Sequence, residues 1–180
     1  DGALREQEAA VAGDTRADLF RKAGIAGGSL IASGVLFGGL PSLAAAAKPS
    51  KKQDVAILNY ALTLEYLEAA FYAEAKKAGF SGALGQFTNL VAADEAAHVK
   101  ALKRVLGRSA VKSPKFDFGD TTRDEAKFRA TAFALETTGV AAYSGQATNI
   151  KQVPVIRAAV SILTIEARHA GAIAALNGDI

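Results

Sequence analysis

Apolar positions recur along most of this 180-residue chain with the period of a helix. Between Gln53 and Ala78, residues Ile57, Leu58, Ala61, Leu62, Ala69 and Tyr72 mark one face, and Gly79-Phe80-Ser81-Gly82 ends the pattern. A second helix is predicted from Ala83 to Leu106, with Gly107 as its stop. Residues 107–120, with Gly, Ser, Pro and Asp, read as a loop. A third helix is expected from Thr121-Thr122, with Asp124 and Glu125 in its first turn, where the helix dipole favours acids. It fades near Thr148-Asn149. Pro154 suits the first turn of a fourth helix, which runs to Leu176 and stops at Asn177-Gly178. Alternating strand patterns with Asn-Gly or Asp-Gly turns are missing. The fold class is all-α.

The first 50 residues follow another plan. Residues 1–14 are acidic and alanine-rich, and Thr15-Arg16-Ala17-Asp18-Leu19-Phe20-Arg21-Lys22 is basic. Ala23 to Ala47 then carries no charge over 25 positions, before Lys48-Pro49-Ser50-Lys51-Lys52. A basic flank, an apolar run and the small residues Ala44 to Ala47 have the layout of an export signal. The run also exceeds the roughly 20 residues that span a bilayer. This portion resembles a twin-arginine export signal, although Ala17 stands where the second arginine belongs. Three readings follow: a retained membrane anchor, a cleaved signal, or a Gly/Ala-rich helix docked on protein. The chain thus divides into a leader at 1–50, with its apolar segment at 23–47, and a helical domain at 51–180. The expected location is exported, on the periplasmic or extracellular face, with membrane contact through residues 23–47.

Composition narrows the chemistry. Half the residues are hydrophobic and 22% are charged, which suits a packed core rather than a disordered chain. With no Cys, thiolate metal sites, disulfides and cysteine nucleophiles are excluded. A net charge of +3, from 21 basic and 18 acidic residues, is too mild to imply nucleic acid.

An internal repeat carries the chemistry. Glu65 and Glu136, Tyr72 and Tyr143, Glu95 and Glu166, and His98 and His169 each lie 71 positions apart. Helix two holds Glu95-Ala96-Ala97-His98, helix four holds Glu166-Ala167-Arg168-His169, and these are the only two histidines. Each glutamate sits on its helix's apolar face: Glu65 with Ala61, Leu62 and Ala69; Glu95 with Val91, Val99 and Leu102; Glu136 with Ala132, Phe133 and Val140; Glu166 with Ile162, Leu163 and Ala170. An ionised carboxylate buried without a partner costs several kcal/mol, about 5 in order of magnitude. Four together, without matching inward cations, call for bound metal. In Glu-x-x-His the two side chains share a helix face and can converge on one ion. Two divalent ions would neutralise the four carboxylates, and oxygen-rich ligation with one imidazole per ion suits iron or manganese. The candidate ligands are Glu65, Glu95, His98, Glu136, Glu166 and His169. Tyr72 and Tyr143 either bond a ligand carboxylate, act as redox neighbours, or simply fill the core. Glu68 and Glu74, whose repeat partners are Gly139 and Gly145, read as solvated or as outer neighbours of the ligands. Lys100, Lys103, Arg104 and Arg108 read as a solvated face.

The order Glu, Glu-x-x-His, Glu, Glu-x-x-His resembles the ferritin-like superfamily over residues 54–178. Leu62-Thr63-Leu64-Glu65-Tyr66-Leu67-Glu68-Ala69-Ala70-Phe71-Tyr72 and Asp94-Glu95-Ala96-Ala97-His98-Val99 are most similar to its desiccation-related, stress-associated branch. The resemblance implies a four-helix bundle of two antiparallel hairpins joined by a crossover loop. Fourteen loop residues at ~3.3 Å each reach about 46 Å, enough to run the length of such a bundle. It further implies a dinuclear iron or manganese protein acting on dioxygen, peroxide or Fe(II), with ferroxidase or peroxide-handling activity. The alternative is a membrane-tethered scaffold subunit of a larger assembly, its metal site non-catalytic or vestigial. Oligomeric state is left open, a homo-oligomer included.

Overall fold

A computed structural model describes residues 49–179. The leader, with its segment at 23–47, lies outside the described residues. Among those described, four long helices and no strand are present: α1 (Lys51–Ala75), α2 (Gly82–Leu106), α3 (Glu125–Gln146) and α4 (Val153–Asn177). Short 3-10 turns extend the first three helices at Lys76–Ala78, Gly107–Ser109 and Ala147–Asn149. The termini follow local chemistry. Ser50 caps α1 by accepting from Gln53 N at 3.1 Å, and Gly79 leaves the first hairpin's helix in the left-handed conformation, φ 69°.

The third helix starts later than the sequence pattern suggests. Thr121 and Thr122 lie in turns before it, and Asp124 is its cap, accepting from Lys127 N at 2.9 Å. The cause is side-chain competition for backbone and tertiary partners. Thr121 Oγ1 donates to Phe118 O at 2.6 Å, and the buried Thr122 Oγ1 donates to Glu74 Oε1 at 2.6 Å. Glu74 is therefore not simply solvated; it ties the crossover to α1.

The helices form two hairpins, α1 with α2 and α3 with α4, and each hairpin meets the other through α1 against α3 and α2 against α4. Asp54, wholly buried near the start of α1, accepts from Lys151 N at 2.8 Å and from Gln152 N at 3.0 Å, just ahead of α4. So α1 and α4 begin at the same end, called the lower end below. The crossover from α2 to α3 climbs along α1. Asn59 holds its beginning, donating to Ser109 O and accepting from Val111 N, each at 2.9 Å, and Glu74 holds its finish.

Two apolar clusters fill the bundle at different heights. The upper one gathers Leu67, Phe71, Phe87, Val91, Phe128 and Ile173, with Phe71 stacked on Phe128 at 5.3 Å. The lower one gathers Leu58, Leu62, Leu102, Leu106, Val155 and Ile162. On every helix one glutamate falls between the two layers.

Candidate metal centre

Glu65, Glu95, Glu136 and Glu166 are all wholly inaccessible to solvent, and His98 and His169 are buried beside them. The repeat thus delivers all six sequence-derived ligand candidates to one layer at mid-height. His98 Nδ1 lies 3.1 Å from Glu65 Oε2, Glu95 Oε2 and Glu166 Oε1. His169 Nδ1 lies 3.1 Å from Glu95 Oε1 and 3.3 Å from Glu136 Oε2. Two overlapping donor groups result. One is Glu65, Glu95, His98 and Glu166; the other is Glu95, Glu136, Glu166 and His169, with ligand atoms within 4.8 Å of one another in each. Glu95 and Glu166 belong to both, so each can face two ions at once.

The two tyrosines cross between hairpins. Tyr72 on α1 donates to Glu136 Oε1 on α3, and Tyr143 on α3 donates to Glu65 Oε1 on α1, both at 2.5 Å. They fix the two glutamates that each serve a single donor group, and they pack into the upper and lower clusters respectively. Of the roles open to them in the sequence, bonding a carboxylate and filling the core are both observed.

Two further residues complete the surroundings. Glu68, read from sequence as solvated or an outer neighbour, is a fifth buried carboxylate, only 2% exposed. Its repeat partner is Gly139, and the two are complementary. A Cβ at Gly139 would stand 2.5 Å from Glu166 Oε2 and 3.5 Å from Glu68 Oε1, so the missing side chain on α3 makes room for both carboxylates. The Glu65-x-x-Glu68 spacing, which mirrors Glu-x-x-His, was the available signal. The second residue is Asp94, whose Oδ2 lies 3.0 Å from His169 Nε2. A carboxylate that accepts from Nε2 fixes the ring, so that Nδ1, beside Glu95 and Glu136, would be the nitrogen free to face a metal ion. The equivalent position for His98 is Ile165, which cannot accept a hydrogen bond. Asp94→Ala is expected to lower metal affinity at the His169 position by about 10–100-fold while sparing the His98 position. Stepwise titration with Mn(II) would show one weakened site; two unchanged sites would contradict it.

The electrostatics favour a cation. Burial, and then the neighbouring Glu166, Glu95 and Glu65 charges, push Glu68 well above the usual carboxylate range. Burial likewise raises Glu65 well above that range, against a lowering bond from His98, and raises Glu136 to about 8. Glu95 goes the other way. Burial opposes its charge, but bonds from His169 and His98 hold it down at about 2. Burial would lower both imidazoles, yet Glu166, Glu65 and Glu95 push His98 up to about 12, and Glu136, Glu95 and Asp94 push His169 up to about 10. Glu95 Oε1, Glu136 Oε2, both Glu166 carboxylate oxygens and His169 Nδ1 still lack hydrogen-bond partners, although some approach within ion-pair distance. Donor atoms that crowd together with several left unpartnered suit metal ions between them.

A pH dependence follows. The imidazole values are raised above 6.5, so their contribution to stability is complete below that and is lost as pH rises towards about 10 and about 12. Glu136, raised from 4.5 to about 8, resists ionisation in the fold and also destabilises the chain as pH rises through that window. The melting temperature of the metal-free chain is expected to fall between about pH 6 and about pH 9, and bound divalent ions to flatten the slope. A metal-free melting temperature that climbs across this range would contradict the assignment.

An antiparallel bundle with a buried Glu/Glu-x-x-His layer is the architecture of a ferritin-like protein. The ferritin-like domain family matches residues 53–179, and the chain belongs to it. No curated protein and no solved structure gives a significant match.

Proposed function

We propose that this chain is a dinuclear iron or manganese protein that acts on dioxygen, peroxide or Fe(II), and that it works outside the cytoplasm or at a membrane. The observation that carries the reading is the pair of overlapping donor groups, built from four wholly buried glutamates and two histidines. Glu95 and Glu166 would hold both ions, His98 with Glu65 one, and His169 with Glu136 the other. The metals would supply reversible electron transfer to or from oxygen species. The chain's own residues do the rest. Tyr72 and Tyr143 fix Glu136 and Glu65, Asp94 sets the His169 tautomer, and the apolar clusters above and below exclude water. The wording around Glu65 and Glu95 supports the stress-associated branch, and the signal-like order of residues 15–47 supports export.

The test is turnover by the metal-loaded chain. Oxidation of added Fe(II) by dioxygen, or peroxide consumption by the iron- or manganese-loaded chain, is expected above the rate of the free ion. A chain holding two ions that accelerates neither reaction would transfer the reading to a tethered scaffold subunit.

A further inference from the structure

We propose that the lower end of the bundle docks on an anionic lipid bilayer. Independently of the metal centre, charge is unevenly distributed between the two ends of the bundle. Lys51 and Lys52 open α1, Lys103, Arg104 and Arg108 close α2, and Lys151 precedes α4; all six are exposed at this end. None of them forms an ion pair among the described residues. No Asp or Glu occurs at 96–116 or 137–165, the stretches that form this end on the other three helices. On α1 the nearby acid is Asp54, wholly buried and engaged with the backbone before α4. The upper end is mixed instead: Lys76, Lys77 and Arg123 share it with Asp117, Asp120 and Asp124, and Lys127 is paired with Asp120.

Exposed apolar side chains accompany the cations. Val105 and Val153 are 44% and 58% exposed, and they lie at the end of α2 and the start of α4 that meet here. Valines set among unpaired Lys and Arg suit the headgroup boundary, where apolar groups enter the acyl edge while cations meet lipid phosphates. What selects a bilayer over another polyanion is the chain that leads into this end. The 25 uncharged residues of 23–47 stop at Lys48, three positions before α1, and exceed the ~20 needed to span hydrocarbon. Cations next to such a segment face the lipid surface. The overall charge of +3 hides this surface, because the buried glutamates and the acids of the upper end offset it.

The experiment sediments the full chain with vesicles of phosphatidylcholine alone and of phosphatidylcholine mixed with phosphatidylglycerol. The ratio of the two partition coefficients removes the part contributed by the apolar segment. The unmodified chain is expected to prefer the anionic vesicles strongly. Combined Lys103→Gln, Arg104→Gln and Arg108→Gln should reduce that preference by about 100-fold, and Lys76→Gln with Lys77→Gln should leave it intact. Because the sequence lacks Cys, a fluorophore on Lys151→Cys or Lys77→Cys marks one end alone. Lipid-borne quencher should reach the label at position 151 and spare the one at 77. A ratio near one, loss of preference in the Lys76/Lys77 variant, stronger quenching at position 77, or tighter binding to a random-sequence DNA duplex than to anionic vesicles would each overturn the proposal.

Discussion

Combined Glu95→Gln and Glu166→Gln is expected to give a folded chain that retains neither iron nor manganese. Both glutamates belong to both donor groups, so the pair of substitutions removes a charged oxygen donor from each ion twice over. Glutamine keeps the side-chain volume, so no cavity opens in a wholly buried layer. The loss in affinity should exceed about 100-fold, since even partners outside the coordination sphere are worth 10–100-fold at metal sites. The metal-free fold loses the bonds that hold Glu95 at about 2, but it is also relieved of two anions that raise their neighbours. Elemental analysis and a thermal melt of the same sample separate metal loss from unfolding. A folded double variant with its full metal complement would mean that the ions sit elsewhere.

Gly139→Ala should separate stability from metal binding in the opposite sense. In the middle of α3 an alanine is worth about 1 kcal/mol over glycine in helix propensity. Its Cβ, however, would stand 2.5 Å from Glu166 Oε2, closer than such atoms approach. The carboxylate is the free end of its side chain and can swing aside, so the fold survives. What it leaves behind is its place in both donor groups. The metal-free variant is expected to melt at the same temperature or slightly higher, while its metal content falls below that of the parent chain. Unchanged metal content with an unchanged melt would show that Glu166 has room to spare, and that Gly139 is not the space the centre depends on.

Most of the site was legible because it is local and repeated. Glu-x-x-His puts two donors on one helix face whatever the tertiary structure, and the 71-residue offset shows that the same hairpin occurs twice. The apolar neighbours of each glutamate then fix which way it points, and all four are inaccessible to solvent. What the sequence obscured depends on contacts between helices. The start of α3 moved to Glu125 because Thr122 prefers Glu74, a residue 48 positions away, to the helix. Glu68 could be read as solvated or as an outer neighbour of the ligands because its partner in the repeat is a glycine; only the packing of α1 against α3 shows that the absence on one side makes room for the presence on the other. Asp94 is a third case. Being next to Glu95, it points away from the shared face of α2, and its contact with His169 arises only where α2 meets α4. The tyrosines fall between these cases: their repeat was visible, whereas their exchange across hairpins was not.

The measurement that bears most directly on this account is the metal content of the full chain purified without added metal, followed by reloading with Fe(II) or Mn(II). Two ions of iron or manganese per chain are the result that the proposed function predicts from two overlapping donor groups. A chain that stays free of metal after reloading with either ion would contradict it, and the buried carboxylate layer would then be a structural feature held together by its histidines and protons alone.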